Sequence, residues 1–588
     1  MERRASARAA EALRFGPRTR ASIIDRPTFG LVATHQGDDA LWAPYCDGEG
    51  LVVAVAGRPA FDASEWDAAR TSDRPGGLAA IAIASRVRAS GPGALESLNG
   101  NFAAVVADVP AQRIYLVTDP CGVMPVFEVA TPHGRVYGSH PDILADVAGE
   151  RHRLDEVSLA EFVLFSSVSA PFSYYERVRS VDCGTVVTLD LRDANAVPLR
   201  RKYFEFDFRG DSHVSERELA TQLAWAIGVA VRRRTQDHLG PTAIALSGGL
   251  DSRVILAASK NNADIFSFCC YDQPNRELRI AAALADAESV RFLPLRRSVD
   301  YYAEHAEAGV RISGGMGSLA NNHFLGVIPQ LVDQGMQTVL TGCYCDYLFK
   351  GLPLNRRTHW LTGRETLAPY RNSFYFDHTA STTQLATAAT RRMADRVPSE
   401  EQRQHSESAV LRVEARRTFP LFYEGDNQQR LVPQRLTGWC PPFVDRDVLD
   451  VYRRIPYKFK LNRSLFKKTA AIAAPELASI TDANTGATPV ASRTWERVRS
   501  QQVRFERLWR RMSGTVSSEE SWPVWEHYVP HSPGLDAMWK RPNADASDLF
   551  RRVLGPSPLL NDIPRMKREQ PFLFVGLLTL KLWLDQRL

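Results

Sequence analysis

Residues 242–260 read TAIALSGGLDSRVILAASK. A short apolar run ends in Ser247-Gly248-Gly249-Leu250-Asp251-Ser252 and passes directly into a segment with helical spacing. Adjacent glycines let a backbone approach an anion closely and adopt conformations that other residues disfavour. The first amides of the following helix, at the positive end of its dipole, make a phosphate site. Ser247 and Ser252 add hydroxyl donors, and Asp251 adds a carboxylate of the kind that holds magnesium against phosphate oxygens. Neither GxxxxGKS nor GxxxxGKT occurs in this run, so it is not a Walker loop.

The surroundings suit a ligand loop. Residues 215–235 have the spacing of a long amphipathic helix, and from the loop onward strands and helices alternate. Residues 265–270 and 290–295 read as strands with a helix over 277–288 between them, and residues 335–341 lead into a further strand and a glycine-containing turn. Such alternation predicts a parallel sheet with helices on both faces, and ligands lie outside the carboxyl ends of its strands. Beyond Leu354 the pattern is mostly helical, with residues 513–521 and 543–547 expected as flexible surface segments.

The first two hundred residues differ. Short β-type runs at 51–56, 102–107, 113–118, 126–130 and 185–190 are separated by Gly, Pro and Asp turn signals, with helix-like intervals at 77–90 and 159–166. That mixture predicts an α+β layered domain with antiparallel sheets. A chain of 588 residues exceeds what one core usually organises, so two or more domains are expected.

Hydrophobic content of 44% and charged content of 24% are those of an ordinary globular protein. A formal charge of +6, with basic and acidic residues interleaved, does not make nucleic acid the default partner. The eight cysteines form no CxxC pair, which argues against structural zinc and a disulfide framework and fits a reducing compartment. The N-terminus lacks the apolar core of a secretory signal, and residues 572–584, FLFVGLLTLKLWL, are too short to span a bilayer and contain Lys581. They read as a buried C-terminal helix. No membrane partner and a cytoplasmic location are expected.

The loop resembles the SGGxDS loop of the PP-loop ATP pyrophosphatases, which cleave ATP between the α and β phosphates and adenylate a substrate. Further segments extend the likeness. Leu98-Asn99-Gly100-Asn101-Phe102-Ala103 and residues 118–127, TDPCGVMPVF, resemble class II glutamine amidotransferase domains. Residues 341–349, TGCYCDYLF, and 440–445, CPPFVD, are similar to the SGEGxDELF and RxPFLD segments of asparagine synthetase. Their order and spacing span nearly the whole chain, which is identified as a member of the asparagine synthetase superfamily, with β-lactam synthetase and the lasso peptide cyclases among its relatives.

The resemblance implies an Ntn-hydrolase-like αββα sandwich over residues 1–208 and a PP-loop synthetase domain over 209–588, its parallel sheet followed by a helical C-terminal part. It implies ATP and magnesium as cofactors. Leu246 and Phe268 then fall where backbone groups read adenine; Ser247, Gly248, Gly249 and Ser252 hold the pyrophosphate with Gly342 close by; Asp251 and Asp346 hold magnesium. Asp346 also reads as an ordinary turn aspartate. Tyr347 reads as a proton-transfer group, as in the β-lactam-forming relatives, or as packing. Cys343 and Cys345 read as packed thiols.

The chain departs from the family in both halves. Active glutaminase domains use an N-terminal cysteine whose amine is the general base. Here position 2 is Glu2, the first cysteine is Cys46, and Ala56-Gly57-Arg58 stands where the family holds glutamine with NGE. The N-terminal domain therefore reads as an inactive glutaminase kept for structure or for contact with a second copy or a pathway partner. In the synthetase half, Cys343 and Tyr347 replace glutamates, and Asn484 stands where the family carries a lysine. Lys467, Lys468 or Arg463 is a candidate replacement; the two lysines read equally as solvated helix charges. Glu277 reads as an acid near the substrate or as a helix N-terminal charge.

These features lead to an ATP-dependent ligase that adenylates a small-molecule or peptide carboxylate and couples it to an amine or ammonia, in natural-product or polysaccharide assembly. An intramolecular cyclase and a catalytically silent nucleotide-binding scaffold stay open as alternatives.

Overall fold

The structure is a computed structural model that describes residues 3–206, 213–260, 264–354, 356–359, 364–367, 396, 410, 414–415, 418–423, 428–513, 521–554 and 558–587. Its valine- and alanine-rich N-terminal runs form a six-stranded antiparallel sheet in the order Leu199–Lys202, Thr185–Asp190, Arg113–Thr118, Gly100–Asp108, Leu51–Pro59, Tyr45–Cys46. Alternation gives each face its own layer. Val53, Phe102, Ala104 and Val106 pack in one cluster with the alanine-rich helix Leu78–Ser90. Ala103, Leu116 and Val187 meet Val126 and Val181, which flank strands of a second, three-stranded antiparallel sheet. Leu144 and Leu159, from the helices Pro141–Ala148 and Glu156–Phe165, join Phe127 and Val129 of that second sheet. The expected αββα layering is present.

The helix Glu216–Arg234 opens the second half. Five parallel strands follow, in the order Arg291–Arg296, Ile265–Tyr271, Thr242–Ala245, Thr338–Leu340, Gly438–Cys440. The chain leaves Thr242–Ala245 to build the sheet first on one side and then on the other. The carboxyl end of that strand is thus the switch point at which open parallel sheets bind ligands.

The last helix, Pro571–Arg587, is buried from Leu573 to Leu584 on all its faces, as its continuous apolar run requires. Its residues share one core with Phe162, Tyr174 and Tyr175 of the N-terminal half, and Trp583 donates Nε1–H to Asp142 at 2.9 Å. The end of the chain therefore joins the two halves. None of the helices searched among the described residues is long and apolar enough to cross a membrane. The expectation of a flexible segment at 543–547 is corrected: Asn543 caps the helix Ala544–Leu554, its Oδ1 accepting from Ala546 N–H at 2.7 Å. Of the other such segment, Ser521 is buried, and residues 514–520 lie outside the described residues.

Candidate active site

The loop 247–252 joins the strand Thr242–Ala245 to the helix Leu250–Ser259. Gly248 has φ +71°, the left-handed region in which glycine alone is unstrained, and a Cβ there would press on Ile280 and Ala483. Gly249 is the N-cap and has no side chain to close off the helix amides. Ser252 is buried, and its Oγ accepts from Ser247 N–H at 3.2 Å and lies 3.3 Å from Ser247 Oγ. Two hydroxyls and the helix amides thus gather at one point. Leu246 and Phe268, expected beside the base, are bonded to each other, Leu246 N–H donating to the Phe268 carbonyl at 2.9 Å.

The neighbouring strand delivers a second loop. After Thr338–Leu340 the chain passes Gly342 and enters the short helix Cys345–Phe349. Gly342 is pressed against the first loop: a Cβ there would lie 2.7 Å from Asp251 Cβ. Between the loops' ends Tyr344 holds φ +71°, a strained value for a buried aromatic residue. Tyr347 is buried on the same short helix, while Asp346 is exposed at its start.

The two aspartates expected to share a magnesium ion share an ammonium instead. Lys350 Nζ lies 2.7 Å from Asp251 Oδ2, 2.6 Å from Asp251 Oδ1 and 2.8 Å from Asp346 Oδ1. Burial pushes the Asp251 carboxyl above its usual range, with Lys350 pulling against that shift, and the two carboxylates hold the buried Lys350 ammonium charged. Burial first, and then the neighbouring Asp251 carboxylate, push the Cys345 thiol well above its ordinary value. Magnesium binds at about 2.1 Å in a near-octahedral shell. An ion placed between these carboxylates would have to displace the ammonium, so the pair as arranged does not fit one. Among the described residues no group of three or more His, Cys, Asp or Glu side chains is arranged for a metal.

The turn at Asn484 does reach the loop. Ala483 N–H donates to the Gly248 carbonyl at 3.2 Å, and the Asn484 amide nitrogen is 3.2 Å from where a Cβ on Gly249 would sit. Lys467 is bound by Glu496 at 2.6 Å, and Lys468 is exposed and bound by Glu216 on the long helix. Arg463 reaches Glu496 at 3.0 Å and Asp482 at 3.5 Å. Glu277 accepts from Ser521 N–H at 2.7 Å. A cavity of about 820 Å³ opens beyond the ends of Ile265–Tyr271 and Arg291–Arg296, lined by Asp272, Gln273, Arg296, Arg297, Tyr302 and Tyr528. Across it Arg297 pairs with Asp272 at 2.8 Å and donates to Tyr302 Oη at 3.1 Å.

Sequence reasoning missed two residues. Lys350 has a signal in retrospect, since it lies four residues after Asp346 on one helical face. Arg253 is the one basic residue of the otherwise largely apolar helix Leu250–Ser259. Its buried guanidinium donates to the carbonyls of Leu477, Ile480 and Thr481 at 2.7–2.8 Å, clamping the turn of Asn484 onto the loop.

In the N-terminal half, Arg58 of the Ala56-Gly57-Arg58 run is buried. It donates to the Gln36 carbonyl at 3.0 Å, stacks 4.0 Å from the Trp42 ring and reaches the strand Gly438–Cys440. Asn101 Nδ2 donates to the Trp439 carbonyl at 2.9 Å and Asn99 Nδ2 to Asp445 at 3.0 Å. The amidotransferase-like motif is built into the contact between the halves. Cys46 sits on an edge strand and packs in a small cluster with Ile24 and Leu31 of the hairpin Thr19–Asp25 and Gly30–Gln36.

Comparison with known proteins matches residues 222–508 to the asparagine synthase family model and residues 81–204 to the glutamine amidotransferase domain model. The chain belongs to the asparagine synthetase superfamily. It is 23% identical over 202 residues to a protein of Mycobacterium bovis named "Putative asparagine synthetase (glutamine-hydrolyzing)" and equally to its counterparts from two Mycobacterium tuberculosis strains. The matched stretch covers 33% of this chain and only 30% of each relative's length. Among solved structures, the allosteric regulatory enzyme of purine biosynthesis matches at 10% identity over 49% of this chain and 61% of that one, with a TM-score of 0.25. The glutamine phosphoribosylpyrophosphate amidotransferase from B. subtilis matches at 11% identity over the same shares, with a TM-score of 0.23. Scores that low define no fold for this superfamily member.

Proposed function

We propose that the chain is an ATP-dependent amide-forming ligase. A substrate carboxylate oxygen attacks the α-phosphorus of ATP, the bond to the β-phosphate oxygen breaks, and pyrophosphate leaves. An amine nitrogen then attacks the acyl carbon of the adenylate, AMP departs with its phosphate oxygen, and the amine proton passes to solvent. The loop 247–252 contributes positioned donors, an effect strongest where water is excluded. The observation that carries this reading is the open helix N-terminus behind Gly248 and Gly249, at the switch point of a five-stranded parallel sheet. The wider cavity lined by Arg296 and Tyr302 lies at the same edge of the sheet and is assigned to the acid or its acceptor.

The amine is free ammonia, a second substrate or a group of the same molecule, because buried Arg58 fills the place where the family holds glutamine. Intermolecular amidation of an amino acid or uronic acid, in natural-product or polysaccharide assembly, is the reading taken. The test is incubation of the full chain with Mg-ATP and candidate acids, with and without ammonium or amine. Acid-dependent AMP and pyrophosphate support the ligase. ATP binding without turnover on any acid would move the reading to a silent nucleotide-binding scaffold, and ADP with phosphate would contradict adenylation.

A further inference from the structure

The charge inventory of the site leaves one buried cation without a role in the reading above. Lys350 is the only ammonium placed between Asp251 and Asp346 among the described residues, with its contacts to their carboxylates at 2.6–2.8 Å. Lys467 and Lys468 are engaged by glutamates on other elements. The stem of Lys350 is buried, its Nζ is 5.5 Å from the Phe466 ring, and its backbone closes the short helix that follows Gly342. That helix brings Asp346 and Lys350 to one face, and Gly342 brings the face against Asp251. The ammonium is therefore held by the fold from both loops, as a bridging ion would be. Meanwhile the turn that reaches Gly249 presents only the neutral amide of Asn484.

We propose that Lys350 is the resident cation of the phosphate site: it joins Asp251 to Asp346 in place of a divalent ion and supplies the positive charge absent at Asn484. This rests on the assignment of the loop 247–252 to phosphate. The ammonium carries one charge and three donors, all directed at Asp251 and Asp346, so a terminal pyrophosphate oxygen gains a donor by taking the place of the exposed Asp346 carboxylate. Lys350 acts as a positioning residue for Asp251 and as a direct phosphate contact once the anion is bound.

The test uses the full chain without nucleotide. Mn²⁺ binding is followed by electron paramagnetic resonance, and inorganic pyrophosphate binding in EDTA by calorimetry. The wild type is expected to show no Mn²⁺ site that Asp251→Asn removes. Lys350→Met is expected to gain such a site and to bind pyrophosphate at least tenfold more weakly, while Lys350→Arg keeps most of the affinity. A wild-type Mn²⁺ site lost in Asp251→Asn overturns the proposal without needing any lysine variant to fold. Equal pyrophosphate affinity in wild type and Lys350→Met overturns it as well. If the wild type binds neither pyrophosphate nor ATP under any condition, the ligase reading fails, and the lysine's role toward phosphate fails with it. The Mn²⁺ comparison then still decides what joins the two aspartates.

Discussion

Ala483 donates its backbone N–H to the Gly248 carbonyl at 3.2 Å, so the turn that carries Asn484 is bonded directly to the phosphate loop. The side chain at 484 is therefore in a position to act on whatever the loop holds. Asn484→Lys places an ammonium there, and pyrophosphate affinity is expected to rise roughly tenfold, the equivalent of about 1.4 kcal/mol. Calorimetric titration checks it; unchanged affinity would show that the turn faces away from the anion.

Arg253 fixes that turn. Its guanidinium is buried, and burial lowers its pKa to about 10, yet it satisfies three carbonyls of residues 477–481. Arg253→Met leaves those acceptors without their donor and is expected to cost about 3 kcal/mol, since unpaired buried polar groups cost roughly 1–3 kcal/mol each. A lowered urea midpoint together with weakened pyrophosphate binding is the expected pair of results. Loss of stability with binding intact would separate the clamp from the site.

Gly342 is a question of space. A Cβ 2.7 Å from Asp251 Cβ forces the two loops apart, and overpacking of this kind costs about 1–3 kcal/mol. Gly342→Ala is expected to lower the melting temperature by a few degrees. Because the displaced group is Asp251, ATP affinity should fall at least tenfold. Wild-type affinity in this variant would place the nucleotide away from Asp251.

Acid stability follows from a buried imidazole. His140 is held neutral, its pKa well below the ordinary value, first by burial and then by the Arg435 charge. A depressed folded-state pKa means stability that is present above the unfolded pKa of about 6.5 and lost as pH falls below it, at up to about 1.4 kcal/mol per pH unit. His140 also caps the helix Pro141–Ala148, a role asparagine fills. His140→Asn is thus expected to flatten the fall in urea midpoint between pH 7 and 5. An identical slope in both proteins would remove His140 from the acid response.

Much of this was legible in the residues. The strand, turn and helix around Gly248 could be read because each level agrees: an apolar run, two glycines, then helical spacing. The apolar helix ending near Leu584 was legible because a helix without a polar face has to be buried. The strand Gly438–Cys440 was not, since three residues carry no periodicity and only the neighbouring strand pairs them. Lys350 and Arg253 escaped for a different reason. Lys350 lies one turn from Asp346, but its pairing with Asp251 spans 99 residues and the Arg253 contacts span more than 220, and no local pattern encodes such long-range pairings. The motif residues Asn99 and Asn101 carried a family signature, but their contacts with Asp445 and Trp439 exist only once the halves meet.

The most direct measurement is a crystal structure of the full chain with ATP. The β and γ phosphates are expected on the amides of residues 248–252, within reach of Ser247, Ser252 and the Lys350 ammonium. A nucleotide bound elsewhere, with the loop closed by its own side chains, would contradict it.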